Sequence, residues 1–522
     1  MRIRFIEPRP PGHHVYDQAL LPRLGLPLMA RMLADRGHDA SSYCEALAPI
    51  DLEDCLAADL VGISSTTSTQ PYAYAIADEF EAAGVPVVMG GPHVSFMTDE
   101  ALEHATYVVR GEGERTICDL VDAIERELAL DGIDGLSWRT PSGRTTHNRA
   151  RPACTQEQFE ELPAPDLTLV RGHERMGVKP VMTQWGCTFN CEFCSVTAMF
   201  SRRVRHRRND QVLAELQDLD CDKVFFHDDC FVVNKNRTRD LLASMIDTGT
   251  TPEWMAQVRA AETVYASKAK REPDHDFLAL MRRANCFMVM VGFESVSDAS
   301  LGEMNKKQEV ADIVRSVDLF HEHDIKVHGM FIAGLDADEV DAADRITDFA
   351  RHHGIDTIQI MIEVPLPGTR LYQRVTSDNR IITSDWSFYD GHHAVMAPAR
   401  SSAADLQLAV VGAMERFYSL PRIVRPSIAG AIREIPQIVR AALRPRSVPA
   451  LPRLSLLVLR RRWHEALDLI SERLPSEDLR RLRSSFAVPM LRAYGREQLA
   501  KFRDQPRTLE YLDRLRALPA PS

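Results

Sequence analysis

No stretch of this 522-residue chain approaches the roughly 18 uninterrupted apolar residues that a membrane-crossing helix needs. The opening residues, MRIRFIEPRPPG, lack the apolar core of a secretory leader and read as a strand running into a proline-rich turn. These two absences lead us to expect a cytoplasmic protein. No internal repeat of about 20–50 residues stands out, which argues against a solenoid or propeller. Hydrophobic residues at 45 % and charged residues at 26 % exclude a collagen-like, disordered or disulfide-stapled chain. What remains is a globular protein long enough for roughly two to four domains.

The net charge of −11 is unevenly spread. Residues 401–522 hold 22 Lys and Arg against 12 Asp and Glu, whereas the first 400 hold 41 against 62. An acidic body of this kind argues against a nucleic-acid partner. The basic tail reads first as a solvated helical face. Its apolar stretch Leu451–Leu459, followed by Arg460-Arg461-Arg462-Trp463, raises a second reading, a peripheral contact with an anionic membrane surface.

Strand-like and helix-like segments alternate along two series. In the first, strands are expected at Ile3–Ile6, Leu60–Ser64, Val85–Met89, Tyr107–Arg110 and Leu136–Arg139, with helices between them. Such alternation predicts βαβ units and a doubly wound, Rossmann- or flavodoxin-like α/β domain over residues 1–140. Residues 141–166, polar and ending in Leu-Pro-Ala-Pro-Asp, read as a linker. The second series has six strands, at Val181–Gln184, Val224–His227, Trp254–Val258, Phe287–Phe293, Lys326–Ile332 and Thr357–Ile362. Six strand–helix units predict a partial (β/α)6 barrel over residues 167–400, with functional loops on its C-terminal rim. Residues 401–522 read as a helical extension broken by prolines.

Ten cysteines in a cytoplasmic chain are expected to be free thiols unless they bind metal. Seven are scattered. Cys187, Cys191 and Cys194 form C-x-x-x-C-x-x-C directly after the first strand of the second series. Three thiolates on one tight loop can hold three irons of a 4Fe-4S cluster and leave the fourth iron open. A four-cysteine zinc site needs a further cysteine at suitable spacing, and none is adjacent. A chance triplet of buried cysteines, or an incomplete zinc site, is the competing reading.

This motif resembles that of the radical S-adenosylmethionine (SAM) superfamily, with Phe193 at the family's aromatic position before the third cysteine. The resemblance implies SAM contacts from Asp228 and Asp229 in FFHDDCF, from Arg259, and from Glu294 and Ser295 in VGFES. For the aspartates a structural loop pair is the alternative, and for Arg259 a salt bridge inside the barrel. The first series resembles the cobalamin-binding domain of cobalamin-dependent radical SAM enzymes. Its features are Ser64, Ser65 and Thr66 after one strand, Gly90, Gly91 and His93 after the next, and Gly111 and Glu112 in GEGE. The D-x-H-x-x-G motif of one cobalamin class is absent, so cobalt is expected to take no histidine from this chain; His93 also reads as a loop histidine capping a helix. The resemblance spans about residues 1–400 and a group that includes hopanoid, bacteriochlorophyll and antibiotic methylases. It implies a 4Fe-4S cluster, SAM and cobalamin as cofactors, an electron donor such as flavodoxin or ferredoxin, and C-methylation of an unactivated carbon of a lipid, tetrapyrrole or secondary metabolite. Two alternatives stand beside it: radical cyclisation or oxidation without methyl transfer, and a non-catalytic cobalamin or iron–sulfur carrier.

Overall fold

A computed structural model describes residues 1–10, 12, 20–140, 142–219, 221–419 and 476–518. The segment proposed for membrane contact, Leu451–Leu459 with Arg460 to Trp463, lies outside the described residues. Among the described residues, no helix is long and apolar enough to cross a membrane.

The first sheet contains β1 (Arg2–Glu7), β2 (Asp39–Cys44), β3 (Leu60–Ser64), β4 (Val87–Gly90), β5 (Tyr107–Val109), β6 (Leu136–Arg139), β7 (Thr145–His147) and β8 (Val170–Arg171). Their spatial order is β7-β6-β5-β4-β3-β1-β2-β8. The strands from β5 to β8 in that order pair in parallel, while β5–β6 and β6–β7 are antiparallel. The order reverses between β1 and β3, and in doubly wound sheets ligands bind beyond the strand ends at such a switch point. Helices Gly25–Ala34 and Glu114–Glu125 cover one face; Gln70–Ala82 belongs to the core of the other.

Two departures from the sequence reading have plain causes. β2, DASSYC, carries no apolar alternation, so no strand was expected there; Ser41 and Ser42 are nevertheless buried between β1 and β8. Where a linker was expected over 141–166, the chain forms β7 and the helix Gln156–Glu160, and β8 then adds to the edge of the first sheet.

The second sheet is built from β9 (Lys179–Val181), β12 (Lys223–Phe226), β13 (Glu253–Val258), β16 (Cys286–Glu294), β17 (Lys326–Ala333) and β18 (Thr357–Ile362). Two short antiparallel ribbons interrupt it: β10 (Gln184–Trp185) with β11 (Arg205–His206), and β14 (Tyr265–Ser267) with β15 (Glu272–Pro273). The six strands lie in sequence order and all pair in parallel. Helices occupy each crossover, and their apolar faces bury against Val289, Val291, Val327 and Ile360 in one continuous core. Helix Ala403–Phe417 packs beside β18, and Tyr418 accepts a hydrogen bond from Ile358 N at 3.0 Å. Helices Ser476–Asp504 and Pro506–Arg516 close that end of the molecule.

Trp254 anchors the second core. It is fully buried, its Nε1 donates to Ala284 O at 2.8 Å, and Phe226 meets it edge-on at 5.5 Å between centroids. Trp254→Ala should therefore lower the stability of this domain by about 3–5 kcal/mol in urea unfolding, through the cavity and the orphaned carbonyl. Trp254→Phe keeps most of the volume and should cost clearly less.

Candidate functional site

The cysteine loop leaves β10 and runs into helix Ser195–Phe200. Two neighbouring aspartates of the loop after β12 hold its base. Asp228 is buried and accepts from Thr183 N at 2.7 Å, Thr183 Oγ1 at 2.6 Å and Gln184 N at 3.1 Å. Burial pushes its carboxyl up to about 6 despite these donors. Asp229 accepts from Gly186 N at 2.9 Å, one residue before Cys187. Both of Asp228's oxygens are thus spent inside the protein, in agreement with the loop-pair alternative.

The three thiols share one loop, and each of Cys187 and Cys194 feels the charge of Cys191. Burial, the larger cause, raises both; Cys194 is pushed up to about 11. Among the described residues no three His, Cys, Asp or Glu side chains are gathered into a metal-holding geometry. The donor set nevertheless fits a three-cysteine iron–sulfur cluster, because thiolate sulfur is the ligand such irons take and one loop supplies all three. Arg259 lies directly against it. Its Nη1 stands 3.8 Å from Cys191 Sγ, its guanidinium stacks 3.7 Å from the centre of the Phe189 ring, and its Nη2 donates to Lys306 O. A cation fixed beside thiols favours their ionised form.

Lys306 in turn pairs with Glu294 at the end of β16. Glu294 has φ +62°, in the left-handed region, and the β16–β17 register shifts between Gly292 and Glu294. This bulge turns the carboxylate toward Lys306. A Cβ on Gly292 would stand 2.7 Å from Glu294 Oε1 and 2.9 Å from Lys306 Nζ, so only glycine leaves the pair its room. Ser295 follows and accepts from Ser297 N at 3.2 Å. Arg259 Nε faces Glu262 Oε2 at 3.5 Å, while Gln308 Oε1 is buried with no hydrogen-bond partner. An orphaned acceptor beside a cluster loop fits a polar ligand such as SAM.

In the first domain a slot of about 140 Å³ opens at the ends of β1, β3 and β4. Ser64, Gly90, Gly91 and Gly111 line it together with Gly113 and Glu114 of GEGE, as do Gly25, Met29 and Gly62. Gly91 has φ +107°, and a Cβ there would lie 2.9 Å from Ser65 O. A ligand tail can pass close to such a backbone. Ser65 is fully buried and hydrogen-bonded to Gln70. Glu112 does not reach the slot; it pairs with Arg205 and accepts from Cys154 N at 2.8 Å, tying the first domain to the second.

His93 is buried, and both ring nitrogens have partners: Thr67 Oγ1 at 3.3 Å and Glu100 Oε1 at 3.4 Å. Glu100 also accepts from Tyr74 at 2.9 Å and from Trp386 Nε1 at 3.0 Å. Burial alone would raise this carboxyl, but the hydrogen bonds from His93, Tyr74 and Trp386 hold it below its ordinary value. The His93 ring thus ties the loop after β4 to Thr67 and Glu100. Between the domains lies a cavity of about 410 Å³, bounded on one side by Thr66, Thr67 and His93 and on the other by Phe193, Glu294 and the ends of β17 and β18.

Residues 18–121 match the B12 binding domain family and residues 181–350 the radical SAM superfamily. An uncharacterized methyltransferase of Pyrococcus horikoshii is 31 % identical over 425 residues, covering 77 % of this chain and 89 % of the relative. The chain belongs to the cobalamin-dependent radical SAM methyltransferase family. Bacteriochlorophyllide d C-12(1)-methyltransferase of Chlorobaculum tepidum is 26 % identical over 408 residues, 76 % of this chain and 81 % of the relative. The structure of the cobalamin-dependent SAM radical enzyme OxsB superposes with a TM-score of 0.62 at 16 % identity, covering 99 % of this chain and 84 % of that one, a likeness of fold. The cofactors of this chain are cobalamin, SAM and a 4Fe-4S cluster.

Glu114 offers a pH test of the slot. Burial is the main reason its carboxyl is pushed up from 4.5 to about 7. The folded chain therefore holds a proton that the unfolded chain has lost, and its contribution to stability falls as pH rises from about 4.5 to about 7. Glu114→Gln should flatten the pH dependence of the melting temperature across that window. An unchanged slope would contradict this assignment.

Proposed function

We propose that this enzyme methylates an unactivated or poorly nucleophilic carbon of a lipid, tetrapyrrole or other secondary metabolite. The observation that carries the reading is the 410 Å³ cavity, walled on one side by loops of the cobalamin domain and on the other by the rim of the radical SAM core. When bound, the cluster and SAM supply one-electron cleavage of carbon–hydrogen bonds, and cobalamin supplies the methyl group. The chain's part is to hold these groups on either side of the substrate and to keep water out.

We assign Cys187, Cys191 and Cys194 to the cluster, and Phe193, Arg259, Glu294 and Ser295 to SAM. Asp229 belongs to the same loop base; Asp228 is read as structural, because its oxygens are taken by Thr183 and Gln184. Ser64, Ser65, Thr66, Gly90, Gly91 and Gly111 are assigned to cobalamin. Glu112 and His93 are read as seam residues, since Arg205 and Glu100 engage them. We further read the six-stranded parallel sheet as a partial (β/α)6 barrel, with the cobalamin domain running past residue 140 to take in β7 and β8. A flavodoxin or ferredoxin would supply the electron, and a cytoplasmic setting suits that donor.

Anaerobic reconstitution should yield about four irons per chain and SAM-dependent release of 5′-deoxyadenosine. Replacing Cys187, Cys191 and Cys194 together by Ala should remove both, whereas single replacements of Cys221, Cys230 or Cys286 should retain the cluster. Cells fed methyl-deuterated methionine should contain a labelled metabolite that disappears on deletion of the gene and returns with the wild-type chain. A deletion-sensitive product without label would instead support cyclisation or oxidation.

Cobalt should take no imidazole from the chain. The electron paramagnetic resonance spectrum of the Co(II) form should be the same in natural-abundance protein and in protein carrying 15N-histidine. A change in nitrogen hyperfine splitting would overturn this.

A further inference from the structure

The interdomain cavity has strongly apolar walls on the barrel side, where Met330, Ile332, Met361, Val364 and Leu366 face it. Three carboxylates reach it: Glu294, Asp390 and Glu363. Two are spoken for. Glu294 pairs with Lys306, and Asp390 accepts from His392 N at 2.8 Å, His393 N at 3.1 Å and His393 Nδ1 at 2.9 Å. Glu363 differs. It is 3 % exposed, and its Oε2 is buried with no hydrogen-bond partner.

Its position is rigid. Glu363 follows β18 directly, and its backbone N–H donates to Ala333 O at 3.0 Å. The nearby cation gives it no ion pair, because Arg374 is held by Asp336 and Glu303. A buried carboxyl oxygen without a partner is costly to keep, so a protein that holds one against a cavity gains when a ligand pairs with it. Burial, reinforced by Glu303, pushes this carboxyl up to about 8.

We propose that Glu363 is the substrate-recognition carboxyl of this cavity, and that the substrate carries a hydroxyl or amine on an apolar body: a hydroxyl pairs with the protonated carboxyl, which both donates and accepts, and an ammonium with the ionised one. The inference rests on the cavity being the methylase's substrate site. It narrows the substrate class: a pure hydrocarbon face would leave Glu363 Oε2 unpaired, and rejection on that ground is far stronger than rejection by shape.

The test uses the reconstituted full chain and three probes sharing one apolar body: 1-methylnaphthalene, 1-naphthylmethanol and 1-naphthylmethylamine. Equilibrium binding to the wild-type chain should favour the alcohol and the amine over the hydrocarbon by about tenfold or more. The amine exceeding the alcohol would identify a cationic donor; the reverse would identify a neutral one. Glu363→Ala should abolish the preference for both while leaving the affinity for 1-methylnaphthalene intact, which also reports a folded cavity. Glu363→Gln should retain part of the preference for the alcohol and lose that for the amine. Equal behaviour of the three probes toward the wild-type chain, whether all bind or none does, overturns the proposal, as does a preference that survives in Glu363→Ala. The labelled-metabolite experiment is read separately: probe discrimination without a methylated product keeps the recognition carboxyl and sinks the methylase reading, and the converse sinks Glu363 alone.

Discussion

Partly buried carboxylates at the seam between the two sheets hold the rest of the structure in place. Glu112 reaches from the first domain to Arg205 of the second, with side chains 10 % and 4 % exposed. Glu100 collects His93 and Tyr74 from its own domain and Trp386 from the other. Neither arrangement need add net stability, since desolvating two charges can cost as much as their attraction returns. Their effect is geometric. A carboxylate with donors from both domains has few alternative positions, so the C-terminal ends of the two sheets face each other at a set distance. At the Glu112–Arg205 pair, loss of one partner would strand a largely buried charge at a cost of about 3–5 kcal/mol, which makes the seam intolerant of slippage there.

A second layer of the same logic operates around the cysteine loop. Asp228 and Asp229 pin its base through backbone N–H groups, while Arg259 holds its far side through Cys191, Phe189 and Lys306. The chain from Cys191 through Arg259 and Lys306 to Glu294 links the cluster loop to the bulged end of β16. The backbone is strained there, at a non-glycine residue with φ +62°. Such strain persists where the surroundings over-determine it, and here the ion pair and the glycine next to it do so.

The cluster loop was legible in the sequence because its signal is local: three cysteines within eight residues after an apolar strand. The Ser/Thr loop after β3 and the glycine loops after β4 and β5 were legible for the same reason, as was the alternation of strands and helices. What escaped was non-local or polar. β2 hides because Ser41 and Ser42 are buried by neighbours rather than by their own hydrophobicity. Glu112 looked like part of a cofactor loop, since nothing near it in sequence announces Arg205 as its partner. Asp228 read as a candidate SAM contact because two acidic residues at a strand end advertise a ligand, yet the donors that satisfy it come from Thr183 and Gln184 on a neighbouring segment. His93 is open to two readings from sequence, and its edge-on contact with Trp386 of the other domain, 4.9 Å between centroids, is a further non-local feature.

The same contrast separates the cofactor loops from the cavity proposed for substrate. A cofactor common to a family is held by contiguous loops, each closing one strand, and a local motif suffices to write it. The cavity is lined by residues 66–68, 92–93, 193, 195, 294, 330–332, 359, 361–364, 366–367 and 389–391, drawn from both domains and several strand ends. No single loop determines its shape or polarity, and the segments 330–332, 361–364 and 389–391 can change what fits without touching the cysteine loop or the slot of the first domain. Glu363 stands at that division: its backbone belongs to the β18 strand end that shapes the rim, while its carboxyl faces a space that only the docked domains create. Fixing the reactive groups on two rigid sheets and leaving the space between them to dispersed side chains lets one architecture serve different substrates with the same chemistry.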